Sequence, residues 1–122
     1  MSTKLFLQVL LALGCLALAI GADPRSAVIA LETISAIKAH LGVNMTLGAS
    51  NISFGMPDRY LINCSYLAMT IAAGVTCPVV YAAKVRAAIL ATDLLLGKDK
   101  RARRYIQAFR DRQALLEVEK KV

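Results

Sequence analysis

A single histidine, 3 cysteines and 8 acidic residues against 15 basic ones leave this 122-residue chain little material for the common hydrolytic and metal chemistries. The cysteines, Cys15, Cys64 and Cys77, are odd in number and show no CxxC spacing. That argues against a disulfide framework and against a zinc site. The one histidine, His40, falls in the last turn of an expected helix beside Lys38, where positive charge favours the helix dipole. It reads as a surface residue rather than a ligand or a base. No acidic residue precedes Asp23. What the chain has in quantity is apolar side chains, 57% of the total. That composition excludes a disordered chain, and the length allows one domain at most.

Apolar runs and their breakers recur about every thirty residues, the period of a strand–helix–strand unit. Asp23 as N-cap and Pro24 in the first turn start a helix carrying Val28, Leu31, Ile34 and Ile37 or Lys38 on one face, and Gly42 closes it. Val43 to Leu47 reads as a strand. Asp58, following Pro57, opens a second helix with Leu61, Cys64, Ala68 and Ile71 on one face and Gly74 at its end. Val75 to Tyr81 is a second short strand, in which Pro78 removes a ladder donor and so marks an edge or a bulge. A third helix places Val85, Ile89, Thr92 and Leu96 on one face and stops at Gly97. A basic helix then runs from about Lys100 to Glu117, with Tyr105, Ile106 and Phe109 facing inward. With Leu16 to Ile20 as a first strand, the order is β-α-β-α-β-α-α with parallel strands.

The N-terminus supports two readings. Lys4 precedes an apolar run from Leu5 to Ala22 broken only by Gln8, and Ala17 and Ala19 form an A-x-A-like site. By that rule the segment is a secretory signal, and it is also just long enough for a marginal membrane span. Three Asn-x-Ser/Thr sequons follow, at Asn44, Asn51 and Asn63. These features describe a small secreted or membrane-anchored protein without enzyme activity. The other reading makes the same run a buried parallel strand of a cytoplasmic α/β protein, and this is the one the rest of the chain favours.

The most informative stretch is Val43 to Arg59, VNMTLGASNISFGMPDR. A strand ends at Gly48 and breaks into a polar loop that presents Asn51 between Ser50 and Ser53, then passes through Pro57 into a helix. Polar loops after strands and before helices are where α/β proteins place their chemistry. This loop holds carboxamides, hydroxyls and the Arg59 guanidinium, and no histidine, cysteine or acid pair. The inventory suits hydrogen bonding to a polar heterocycle better than hydrolysis or metal binding.

NMTLGASNISFGMPDRYLIN, followed by a helix ending in AAG, resembles the methyltetrahydrofolate:corrinoid methyltransferases of the pterin-binding, dihydropteroate synthase-like family. The similarity runs from about Ile20 through Ala91 to Asp99 and on to Tyr105 to Arg110. The resemblance implies a (β/α)8 TIM barrel, of which this chain looks like the last three βα units, since a complete barrel needs about 250 residues. It implies methyl transfer from 5-methyltetrahydrofolate to the cobalamin or other corrinoid of a partner protein or domain. Asn51 matches the asparagine that hydrogen-bonds the methyl-bearing ring nitrogen; on spacing alone it reads as a loop cap, and the SN-x-S and PDR residues in register favour the functional role. Arg59 matches a position lining the folate site, and otherwise reads as an ion pair with Asp58. Gly48 allows close backbone approach at the strand end. Phe54 is assigned to packing.

One departure stands out. Where the family carries an Asp-Pro pair whose aspartate holds the pterin, this chain reads Leu13-Gly14-Cys15-Leu16. Without that carboxylate, pterin affinity of the chain alone should be weak or nil. Three strands cannot close a barrel, so a complementary barrel chain or a homo-oligomer is expected as partner. The cluster Lys98, Lys100, Arg101, Arg103, Arg104, Arg110 and Arg112 has no accompanying stacking pattern. It is read as the solvated face of the terminal helix, with no nucleic acid implied.

Overall fold

The computed structural model describes Gly14, Cys15 and residues 19–121. In chain order these form strand β1 (Gly14–Cys15), helix α1 (Ser26–Leu41), strand β2 (Thr46–Gly48), helix α2 (Arg59–Ala73), strand β3 (Cys77–Val79), helix α3 (Ala82–Leu95) and helix α4 (Arg103–Lys121). Single 3₁₀ turns stand at Asn51–Ser53 and Lys100–Ala102. The strands make one parallel sheet in the order β1-β2-β3, with Gly14 opposite Thr46 and Leu47 opposite both Cys15 and Pro78. The α/β class and the strand–helix alternation are as expected. β3 lies at the edge of the described sheet, where Pro78 costs no ladder bond.

Helix ends follow local chemistry. Gly42 takes a left-handed φ of 58° and its N–H donates to the Lys38 carbonyl. Gly74 has φ 133°, and a Cβ there would stand 2.9 Å from Lys38 Cγ, so both conformation and space demand glycine. Asp23 is not the cap of α1. The N-cap position is Arg25, and Asp23 builds the preceding turn: its carboxylate accepts the Arg25 N–H at 2.8 Å and its carbonyl accepts the Ser26 hydroxyl at 2.6 Å. The expected strand Leu16 to Ile20 is displaced. β1 occupies Gly14–Cys15, Ile20 already turns toward α1, and residues 16–18 lie outside the described residues. Most of the signal-like run 4–22 lies outside them too. No helix among the described residues is long and apolar enough to cross a membrane.

The core gathers Ile34 of α1, Tyr66, Leu67 and Ile71 of α2 and Val85 of α3 around Met45, Leu47 and Ala49. Several expected faces are corrected: Val28, expected on the α1 face, is 47% exposed, and Leu96, expected on the α3 face, is 42% exposed. In α2 the buried residues are Tyr66, Leu67, Thr70 and Ile71, whereas Leu61 is 60% exposed. In α4 none of the residues is buried: Ile106 and Phe109 are exposed, and Tyr105 is only half-buried.

Along the segment containing β2, Val43, Met45, Leu47 and Ala49 are buried, while Asn44, Gly48 and Ser50 are exposed and Thr46 half-exposed. The alternation is the period of two of a strand, with helices against one face. In β3, Cys77 and Val79 are exposed, and Val80, just beyond the strand, packs on the core. Among the described residues, one face of the β2 and β3 segments is therefore covered and the other bare. Parallel sheets are otherwise covered on both faces or closed into barrels.

Candidate functional site

The loops at the C-terminal ends of the strands come together. The Ile20 N–H, beyond β1, donates to the Ile52 carbonyl at 3.0 Å, and the Ala49 N–H at the end of β2 donates to the Val79 carbonyl at 3.4 Å. Between them the chain from Ala49 to Asp58 folds over the first turn of α2. Beside it lies a cleft of about 460 Å³, lined among others by Ser50, Arg59, Asn63, Tyr81 and Lys84.

Ser53 organises this loop from a fully buried position. Arg59 Nε donates to Ser53 Oγ at 3.0 Å, and Arg59 Nη2 donates to the Ser50 carbonyl at 3.0 Å. The Arg59 guanidinium also stands 5.9 Å from the centre of the Phe54 ring. Arginine Nε can only donate, so the Ser53 oxygen is the acceptor and its single proton goes elsewhere. The shortest contact is to Asn63 Oδ1 at 2.6 Å, with the Ser50 carbonyl at 3.2 Å as a longer alternative. With the Ser53 proton on its shortest contact, the oxygen of the Asn63 amide faces Ser53. Its NH2, which makes no hydrogen bond among the described residues, is left as a donor in a residue that lines the cleft.

Asn51 sits in the 3₁₀ turn that this network brackets. Its backbone carbonyl accepts the Phe54 N–H at 3.2 Å. Its side chain is exposed and makes no hydrogen bond among the described residues, so its carboxamide does not cap the loop. Asn51 and Gly48 stand next to the cleft-lining Ser50 and Ala49 without lining the cleft themselves. A Cβ at Gly48 would meet nothing within 4 Å, so no close approach within the described chain requires glycine there. Arg59 makes no ion pair with Asp58; its bonds go to the loop.

Four further cleft residues, Tyr60, Asn63, Tyr81 and Lys84, were not assigned to a site from the sequence. Asn63 had a legible signal, because it stands four residues after Arg59 and so shares its helix face. Tyr81 and Lys84, which stack at 5.7 Å, arrive from the far side of β3 and left no local mark. Tyr60 also lines the cleft. Its hydroxyl is held above its ordinary value by a hydrogen bond with Cys64, by the charge of that thiol and by burial, with Arg112 acting against them. No group of three or more His, Cys, Asp or Glu side chains among the described residues is arranged to hold a metal ion.

No protein family model matches the chain. A local alignment of 70 residues is 40% identical to the methylcorrinoid:tetrahydrofolate methyltransferase of Eubacterium limosum. It covers 56% of this chain and 26% of that protein. The chain is thus similar to a region of that methyltransferase and spans about a quarter of its length.

Proposed function

We propose that this chain is a fragment of a pterin-binding methyltransferase, its cleft at the ends of β2 and β3 forming part of the site for a tetrahydrofolate. The observation that carries the reading is Asn51: an exposed carboxamide, unbonded among the described residues, on a turn braced from both sides by Arg59. Methyl exchange at a ring nitrogen needs a group that bonds that nitrogen more strongly as positive charge builds on it. A carboxamide that the protein does not use for itself is suited to this. The name of the Eubacterium limosum protein writes transfer from a methylcorrinoid to tetrahydrofolate, the reverse of the direction implied by the sequence resemblance. One transition state serves both directions, so the role of Asn51 is the same. Arg59 and Ser53 set the turn, and Asn63 offers a second donor to an acceptor on the heterocycle.

A corrinoid, where it takes part, supplies the cobalt that carries the methyl group. The described residues do not fit it as a resident cofactor: the one histidine, His40, is exposed in the last turn of α1 and does not line the cleft. It is assigned to a partner protein or domain, and the fold to the last three units of an eight-stranded barrel.

The test is a chimera in which this chain replaces the matching region of the Eubacterium limosum protein. Asn51→Ala should lower the methyl-transfer rate about a hundredfold while tetrahydrofolate binding weakens much less. Equal losses would make Asn51 a plain binding group, and no loss in either would remove it from the site. Gly14 and Cys15 are in β1, beside β2. Gly14→Asp with Cys15→Pro restores the family's Asp-Pro pair there and should raise folate affinity of the chimera about tenfold, read by calorimetry.

A further inference from the structure

We infer that the chain carries a second binding surface, a basic groove along α3 and α4 that takes an extended polycarboxylate; resting on the reading above, this is the γ-glutamate tail of the folate whose heterocycle occupies the loop cleft.

The groove is open to solvent, with a volume of about 860 Å³, and its lining includes Arg86, Lys98, Lys100, Arg103 and Arg104. Its two acids are already engaged. The Asp99 carboxylate accepts the Arg104 and Tyr105 N–H groups at 3.1 and 2.9 Å, and Asp111 accepts Gln107 Nε2 at 2.9 Å. Arg104 is paired with Asp93 at 3.1 Å. The side chains of Arg86, Lys98, Lys100 and Arg103 make no hydrogen bond or ion pair among the described residues. Arg103 also faces the charge of Asp99, which leaves Arg86, Lys98 and Lys100 as cations without a counter-charge among the described residues.

That groove is contiguous with the loop cleft. A middle cleft of about 300 Å³ between α2, α3 and α4 is walled by Tyr60, Lys84, Arg86 and Arg112. It shares Arg86 with the groove and Tyr60 and Lys84 with the loop cleft. From Lys84 to Leu95 along α3 is about 17 Å at 1.5 Å per residue. About three γ-linked glutamates cover that distance, each being longer than the roughly 3.5 Å of an α-peptide residue. Cations strung over such a length suit repeated single charges rather than one compact anion, and guanidinium forks match carboxylates. Single-stranded nucleic acid calls for successive stacking platforms, and the groove itself has no aromatic side chain in its wall.

The test uses the whole chain and a fluorescent γ-linked tetraglutamate without a pterin, read by anisotropy. Binding is expected, weakening about tenfold between about 50 and about 200 mM salt. Arg86→Glu with Arg103→Glu should weaken it by a further tenfold or about that. Arg25→Glu with Arg110→Glu carries the same charge change away from the clefts and should leave affinity within about twofold. Equal helicity by circular dichroism shows that both variants fold. Absence of binding at low salt, or equal losses in the two variants, overturns the groove. An oligonucleotide of equal charge that displaces the tetraglutamate at lower concentration overturns the choice of ligand. If a pteroyl tetraglutamate binds no more tightly than the free tail while the groove variant still loses affinity, the groove stands and the heterocycle reading falls.

Discussion

Ser53 is where the loop is decided. It is fully buried and stands between a donor that cannot accept, Arg59 Nε, and an acceptor, Asn63 Oδ1. Ser53→Ala removes the relay and leaves both partners short of a hydrogen bond, one of them charged. The expected loss is about 1–3 kcal/mol in chemical denaturation, and a loss below about 0.5 kcal/mol would show that the network is incidental. Asn51→Ala should leave the same denaturation curve in place, since its carboxamide holds nothing in the described chain. A capping carboxamide would instead cost about 0.5–2 kcal/mol. The sequence made Asn51 and Arg59 visible because they stand in a polar loop between a strand and a helix. It hid the bond pattern: Ser53 and Asn63 are ten residues apart, and their sequon Asn-x-Ser/Thr contexts point to a different meaning altogether.

At the scale of elements, the helices were legible in place and less so in orientation. Gly42, Gly74 and Gly97 end α1, α2 and α3 or their last turns as read, because a left-handed or otherwise positive φ leaves a local signature. The buried face of α2 was missed because it includes Thr70, whose hydroxyl is satisfied by the Leu67 carbonyl at 3.0 Å, and half-buried Asn63, while large apolar Leu61 stays outside. Hydrophobicity alone selects the wrong stripe when a polar core residue is hydrogen-bonded locally. The start of α4 depends on Asp99, which follows Gly97 and precedes the left-handed residues Arg101 and Ala102. Burial acts to raise the Asp99 carboxyl, but the Tyr105 and Arg104 N–H groups and the charges of Arg104 and Arg103 together bring it below its ordinary value. A depressed folded value means that the stabilisation is present above the unfolded pKa of about 3.9 and is lost as pH falls through the folded one. Amide exchange at Arg104 and Tyr105 should therefore speed up in that acid window beyond its intrinsic pH dependence. In Asp99→Asn the window should disappear, and an unchanged acid response would remove Asp99 from the start of α4.

At the scale of the whole molecule, the period of about thirty residues revealed three parallel strands and their intervening helices, because each strand–helix unit repeats the same breakers. The start of the first strand was not legible, since one continuous apolar run gives no register. Among the described residues, the β2 and β3 segments have a clothed face and a bare one. Val79 is 65% exposed on the bare side, and Phe54 and Tyr81 are 71% and 69% exposed at the ends of the strands. An open parallel sheet of this kind leaves strand edges and an apolar face available for association. Sedimentation velocity of the isolated chain over a range of concentrations tests the open-sheet account most directly. Concentration-dependent association is expected, shifting toward monomer in Val79→Glu, which places a charge on the bare face. A compact monomer at every concentration, with Val79→Glu indistinguishable from the parent chain, would contradict it.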